Sequence, residues 1–200
     1  MHLAKLESLV NILARTRAEP QSTTDATSRQ VVAVSYAHRC CRRSQPRNRR
    51  SALGAGASRA FALGYRHLLR GTDLERRQAR VLAASRGAGW WLWKPLAVRW
   101  ALDQAAPGDI VAYLDAGNRF MPNISLPDQA ERLLARTDVA ARRAGCCLER
   151  HYTSRCVLHR LGVASSSAVV DTEQVTATFV LLRNTAIASH FVDEWLALGE

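Results

Sequence analysis

The sequence predicts a single α/β domain in which a mostly parallel central sheet is flanked by helices. Three short apolar segments, rich in β-branched residues, are typical of buried strands at residues 31–36, 110–114 and 175–182. Segments of helical character lie between them, and strands that alternate with helices favour a parallel sheet. The chain has 200 residues, 48% of them hydrophobic, which is enough for one core and short for two.

Periodicity and proline indicate the helices of this domain. Helices are predicted over residues 51–63, 73–84, 95–104 and 127–136. Pro95 suits the first turn of its helix, because the N–H that proline lacks has no partner there. Residues 139–148 are ambiguous between strand and helix. A closing helix is predicted from an apolar stripe made by Ile187, Phe191, Trp195 and Leu198.

The chain divides into an N-terminal segment, residues 1–30, and the domain itself, residues 31–200. A short helix is indicated by the apolar face of Leu3, Leu6, Val10 and Leu13. A polar, Ser/Thr-rich linker follows at 21–30. The opening residues lack the apolar stretch of a secretory signal, and no apolar run reaches the roughly 20 residues of a membrane span. We therefore expect a cytoplasmic protein without a transmembrane segment.

The chain carries a net charge of +11, and nearly all of its 28 basic residues are arginine. Such a field favours polyanionic partners, which include nucleotides, phospholipid head groups, acidic glycans and nucleic acid. The densest arginine cluster, at 39–50, has no interleaved aromatic residues and belongs to no recognisable nucleic-acid module. Nucleic-acid binding is therefore the weaker interpretation of the charge.

The five cysteines favour reduced, partly buried thiols over a disulfide framework. They are Cys40, Cys41, Cys146, Cys147 and Cys156. Their number is odd, and no C-x-x-C spacing of a structural zinc site occurs. Reduced thiols are the expected state in a cytoplasmic compartment.

Asp115 is the first candidate for chemistry, because it stands where a buried strand ends and a turn of small residues begins. Ligands of open α/β sheets bind at the carboxyl ends of strands. A carboxylate there can hold Mg²⁺ or Mn²⁺ against a diphosphate, since these ions accept one or two protein carboxylates plus phosphate oxygens. Ala116 and Gly117 leave room for such a ligand. The alternative is an aspartate that only caps the next turn.

Three tryptophans within four residues form the second candidate, at Trp90, Trp91 and Trp93. Aromatic faces stack on bases and sugars, and Lys94 at the start of a helix can meet a phosphate beside the helix dipole. The alternative is a hydrophobic plug between helix and sheet. We expect one or two of these rings to pack between helix and sheet, and one to face a ligand.

These two segments together resemble a known family. Residues 89–95 read G-W-W-L-W-K-P, and residues 107–117 read P-G-D-I-V-A-Y-L-D-A-G. Their order and spacing resemble a group of predicted glycosyltransferases with a GT-A-type, Rossmann-like nucleotide-diphospho-sugar transferase fold. The pattern of that group is G-Y-W-x-W-K-P, a helix, G-D, and a hydrophobic strand that ends in D-A-G. The resemblance extends, more weakly, over residues 31–200.

The resemblance implies transfer of a hexose from a nucleoside-diphosphate sugar to a glycan or lipid-linked acceptor, with Mn²⁺ or Mg²⁺ as cofactor. A role in polysaccharide biosynthesis is implied, and a lipid-linked acceptor would bring the protein against a membrane surface. Asp115 would be the metal ligand. The donor nucleotide and its diphosphate would be met by Tyr36, Arg43, Trp91, Trp93, Lys94 and Ala116.

Glu149 and Gln174 are the residues expected to face the sugar or the acceptor. Glu149 can act as a general base on an acceptor hydroxyl, and Gln174 stands at the head of a strand where its amide can bond a sugar. The alternatives are an exposed glutamate and an amide that satisfies backbone.

Two other functions stay open. Ser154 and Cys156 stand where the family has lysine and aspartate, and the family extends beyond Glu200, so the domain is expected to be incomplete at its C-terminus. A non-catalytic relative that still binds nucleotide is therefore one alternative. A basic nucleic-acid-binding α/β protein is the other.

Overall fold

The computed structural model describes residues 29–38 and 40–199, which form one sheet with helices on both faces. The strands are β1 (Val31–Tyr36), β2 (Arg59–Leu63), β3 (Ile110–Leu114), β4 (Val139–Leu148) and β5 (Glu173–Arg183). The longer helices are α1 (Gln45–Gly54), α6 (Trp93–Gln104), α7 (Leu126–Leu133) and α11 (Ala186–Gly199). The short ones are α2 (Tyr65–Leu68), α3 (Asp73–Arg77), α4 (Ala79–Ala83), α5 (Gly87–Trp90), α8 (Glu149–Tyr152), α9 (Arg155–Arg160) and α10 (Ser167–Val170).

The five strands lie in the order β2–β1–β3–β5–β4. β1 is parallel to both β2 and β3, whereas β5 is antiparallel to both β3 and β4. The α/β class is therefore confirmed, and the prediction of a mostly parallel sheet is correct in part: the sheet is mixed, with β1, β2, β3 and β4 running in one direction and β5 in the opposite one. An apolar strand has the same periodicity in either direction, so direction is decided by how the chain returns to the sheet.

Two helical layers cover the two faces of the sheet. Alternate strand residues point to opposite faces. One layer is α6 with α11, which packs on a face that includes Val34, Tyr36, Val111, Tyr113, Val180 and Leu182. The other is α1 with α7, which packs on Val31, Ala33, Ile110, Ala112 and Leu181. The inner strands are buried on both sides, as their continuous apolar runs predict.

The predicted helix at 51–63 is wrong in its second half. α1 begins earlier, with Pro46 in its first turn, and ends at Gly54. Gly56 then has a φ of +93°, and 59–63 forms β2 in parallel register with β1. Backbone pairing at an open sheet edge outweighed the weak helical preference of this segment. The predicted helix at 73–84 divides into α3 and α4 at Gln78.

The closing helix forms as predicted, but its buried face is rotated by one residue. Ala188 and Val192 are fully buried, whereas Ile187 is 43% exposed. Small Ala188 faces α6, whose Ala97 and Ala101 are also fully buried, so the two helices approach closely. Residues 139–148, ambiguous in sequence, form β4.

Cysteine pairing differs from the prediction of reduced, partly buried thiols. Cys146 and Cys147 form a disulfide between adjacent residues, while Cys40, Cys41 and Cys156 are free and exposed. The predicted short N-terminal helix and residues 21–28 of the predicted linker lie outside the described residues. Within residues 29–38 and 40–199, no helix combines the length and apolar character that a membrane crossing requires.

Candidate functional site

The chain reverses its direction of travel across the sheet at β1. It moves outward from β1 to β2 and then returns to β3 on the other side of β1. Ligands of open α/β sheets bind in the crevice outside the carboxyl ends of the strands at such a reversal. Asp115 follows β3 directly, and His38 lies two residues beyond β1. The predicted metal ligand is therefore at the position where a ligand is expected.

Asp115 forms an ion pair with Lys94. The Lys94 Nζ lies 2.9 Å from Asp115 Oδ1 and 3.2 Å from Oδ2, and it donates to the Ala177 carbonyl oxygen at 3.0 Å. The lysine side chain is 9% exposed and that of Asp115 is 30% exposed. The ammonium thus faces Asp115 and β5, whereas the sequence suggested that it meets a diphosphate. Lys94 orients the carboxylate and leaves one side of it open.

Tyr113 is the second side chain that contacts the Asp115 carboxylate. Its hydroxyl donates to Asp115 Oδ1, and the Lys94 Nζ lies 5.6 Å from the centre of its ring. Burial, followed by the neighbouring charge of Asp115, raises the pKa of Tyr113 well above its ordinary value, so it stays a protonated donor. Sequence reasoning missed Tyr113, although the two-residue period of a strand places it on the same face as Asp115.

Backbone contacts fix the turn that follows β3. The Asp115 N–H donates to the Thr178 carbonyl oxygen at 2.9 Å. The buried Asn48 amide donates to the carbonyl oxygens of Asp115 and Asn118 at 3.2 and 3.1 Å. Ala116, a predicted nucleotide contact, lies in this turn and is 3% exposed, so its methyl group is buried.

Two of the predicted nucleotide-binding aromatics belong to the core. Trp93 is 6% exposed and Tyr36 is 3% exposed. Their rings stack at 4.3 Å, and the Trp93 indole N–H donates to the Gly87 carbonyl oxygen at 2.9 Å. Neither ring offers an open face to a nucleotide, because each covers one face of the other and both side chains are almost wholly buried. Burial raises the pKa of Tyr36, whose hydroxyl has no hydrogen-bond partner among the described residues.

Trp91 and Arg43 are accessible, as ligand-binding residues must be. Trp91 is 43% exposed and follows α5 directly, with its backbone in the left-handed region. Arg43 is exposed in the turn before α1. Near that turn, the Cys41 Sγ lies 3.8 Å from the place where a Cβ on Gly117 would stand.

Glu149 holds α8 to β5. Its Oε1 accepts from the Val175 N–H at 2.8 Å, and its Oε2 accepts from the Thr153 hydroxyl. Both carboxylate oxygens therefore have partners before any acceptor arrives. Gln174 is half-buried near the start of β5. Because β5 is antiparallel to β3, the start of β5 lies at the carboxyl end of β3, which is the end of the sheet where Asp115 stands. General-base catalysis by Glu149 stays a prediction.

A divalent ion fits Asp115 only if its other ligands come with the substrate. No group of three or more His, Cys, Asp or Glu residues is arranged to hold a metal within the described ranges. The open side of Asp115 supplies one protein oxygen, and Mg²⁺ and Mn²⁺ take the rest from phosphates and water in many nucleotide sites.

Two cavities lie near the ends of the strands. One, of about 380 Å³, is at the carboxyl ends of β1 and β2, and its lining includes His38, Arg42, Gln45, Tyr65 and His67. The other, of about 580 Å³, lies among α8, α9 and α10, and its lining includes Arg150, Arg155, His159, Ser165 and Asp171. The smaller cavity adjoins the reversal point, so we take it rather than the larger one as the nucleotide candidate.

Models of known protein families, curated proteins and solved structures were all compared with the chain, and none matches it. A function for this chain therefore rests on the chemistry of its own residues.

Proposed function

We propose that the chain is a glycosyltransferase that takes a hexose from a nucleoside-diphosphate sugar. The observation that carries the proposal is the Asp115 carboxylate, which is oriented by Lys94 and Tyr113 and open on one side at the reversal point of the sheet. The G-W-W-L-W-K-P and D-A-G segments contribute Lys94 and Asp115 to that arrangement, so the two motifs meet in space.

In this proposal Asp115 contributes one ligand to Mg²⁺ or Mn²⁺, and the donor diphosphate contributes others. When bound, the ion neutralises charge on the departing nucleotide. Exposed Arg43, in the turn after β1, supplies further positive charge toward the diphosphate. The nucleoside occupies the cavity at the carboxyl ends of β1 and β2. The rings of Tyr65 and His38 line this cavity, and their centres are 4.8 Å apart.

The acceptor sugar lies toward α8 and the start of β5. Glu149 and Gln174 stand there, at the same end of the sheet as Asp115. A glycan or a lipid-linked sugar fits the proposal, and a lipid-linked acceptor would bring the protein to a membrane surface. For catalysis, Glu149 must accept the acceptor's proton on a lone pair that Thr153 and Val175 do not occupy, or release one of these two partners.

A non-catalytic, nucleotide-binding relative is the second candidate. Both Glu149 carboxylate oxygens already accept hydrogen bonds from within the chain, and this favours the non-catalytic candidate. Ser154 and Cys156, at positions where the resembled family has lysine and aspartate, point the same way.

Titration with UDP and GDP, with and without Mn²⁺, tests the proposal. Asp115→Asn should weaken Mn²⁺-dependent binding at least about tenfold, which corresponds to loss of one charge-assisted ligand. Asp103→Asn is the matched control, because Asp103 is exposed and its substitution removes the same charge at the far end of α6. Circular dichroism establishes that each variant is folded.

Nucleotide binding that Asp115→Asn leaves unchanged would overturn both candidates. If binding depends on Asp115, release of free sugar from UDP-glucose or GDP-mannose, or transfer to an oligosaccharide, separates the enzyme from the non-catalytic relative.

A further inference from the structure

The segment Gly87–Trp91 has an uncommon backbone conformation. Five consecutive residues have positive φ, at +59°, +50°, +99°, +51° and +60°, and three of them are not glycine. The Trp91 N–H donates to the Gly87 carbonyl oxygen at 3.2 Å, which closes a left-handed turn. This region is unfavourable for a non-glycine residue, because the Cβ comes too close to the following carbonyl oxygen. Such conformations are concentrated at ligand clamps and active sites.

This turn holds the Trp91 indole in one orientation. A Cβ added to Gly87 would lie 2.5, 2.7 and 2.8 Å from Trp91 Cδ2, Cε2 and Cε3, so the glycine backbone rests on the face of the ring. Trp91 is nevertheless 43% exposed. One face of the indole is therefore supported and the other is open to solvent.

The neighbouring tryptophans differ from Trp91 in their surroundings, since Trp90 is 54% exposed and Trp93 is 6% exposed. The Arg86 guanidinium lies 5.1 Å from the centre of the Trp90 ring, and Trp93 is buried against Tyr36. Trp91 also adjoins the candidate site, because its carbonyl oxygen accepts from the Lys94 N–H at 2.9 Å. The Trp91 backbone thus lies about one turn before the lysine that holds Asp115.

We propose that the Trp91 indole is a stacking platform for a pyranose ring and that Gly87 is the positioning residue beneath it. The apolar C–H face of a sugar packs on an aromatic ring, and a ring fixed in advance loses little entropy on binding. A fluid lipid surface requires no single orientation of the indole, so the fixed ring favours a sugar over a membrane. The proposal rests on the proposed function for the location of the sugar, which belongs to the donor or to the acceptor.

Three variants test the platform. Trp91→Ala removes it. Gly87→Ala displaces the ring, since the added methyl group overlaps the indole. Gly71→Ala is the matched control, because Gly71 has a φ of +79° but an added Cβ there meets no atom within 4 Å. The affinities measured are those for UDP, GDP, UDP-glucose, GDP-mannose and a neutral glucan oligosaccharide, with thermal unfolding as the check on folding.

Trp91→Ala and Gly87→Ala should each weaken sugar-containing ligands about tenfold and leave UDP and GDP unchanged, while Gly71→Ala has no effect on affinity. Loss confined to the sugar nucleotides assigns the donor, and loss with the oligosaccharide assigns the acceptor. Equal losses for UDP or GDP would indicate base stacking and overturn the proposal. So would Trp91-dependent binding to phosphatidylserine vesicles, or the absence of any Trp91-dependent sugar binding.

These results separate the two proposals. Failure of Asp115-dependent nucleotide binding removes the proposed function, while the oligosaccharide and vesicle titrations still decide the role of Trp91.

Discussion

The Lys94 and Asp115 side chains differ in exposure, at 9% and 30%, although they form one ion pair. The more buried member depends more on its partner, because an unpaired charge costs most where water cannot reach it. Lys94 keeps the Ala177 carbonyl oxygen as its second partner, whereas Asp115 keeps Tyr113 and solvent. Lys94 therefore serves to orient the Asp115 carboxylate, and the two residues are not independent ligand contacts.

This asymmetry gives a prediction for a double-mutant cycle of Lys94→Met and Asp115→Asn. Asp115→Asn should cost about 2–4 kcal/mol in the free energy of unfolding, and Lys94→Met about 1–2 kcal/mol, because only the first leaves a buried charge unpaired. The coupling energy should be about 0.5–3 kcal/mol. Urea denaturation of the four proteins measures it, and purely additive effects would contradict the pairing.

The helices differ in how strongly their own sequence determines them. Ser125 caps the N-terminus of α7, since its hydroxyl accepts from the Asp128 N–H, and Pro127 lies in the first turn, so local signals define where the helix starts. α5 has no such signals, and its left-handed form follows from two glycines and from packing on α4. The first was predictable from sequence, whereas the second was predicted only as a break.

Two leucines of α7 provide a matched pair for testing its buried face. Leu126 is fully buried under the sheet, whereas Leu133 is 37% exposed on the same helix. Leu126→Ala should lower the free energy of unfolding by about 2–5 kcal/mol, since it leaves a cavity, and Leu133→Ala by less than about 1 kcal/mol. Chemical denaturation compares them, and similar losses for both would show that α7 does not pack as described.

The molecule as a whole carries a charge of +11, which by itself attracts any polyanion. The Lys94–Asp115 pair contributes little to this field, because its two charges neutralise each other. Attraction by net charge and the proposed recognition of a ligand at Asp115 are therefore separable by experiment.

We expect DNA to bind weakly, without sequence preference, and with an affinity that falls steeply with salt. Asp115→Asn and Trp91→Ala should leave this binding unchanged. Fluorescence anisotropy with two unrelated duplexes over a salt series measures it. A strong preference for one duplex, maintained at high salt, would favour the nucleic-acid-binding alternative.

The sequence by itself determined where the inner strands lie, where α6 begins and ends to within two residues, and which carboxylate stands at the end of β3. These features follow from local apolar runs and from proline, which act over a few residues. It also placed Trp91, Trp93 and Lys94 in one segment without assigning a face to each.

Only the tertiary structure decided which of these side chains is open to a ligand. Trp93 is buried because Tyr36 from β1 covers it, and Lys94 turns inward because Asp115 from β3 lies within reach. The same holds for the direction of β5 and for β2 at the sheet edge. Each depends on a contact between residues far apart in the chain, and no local periodicity records such a contact.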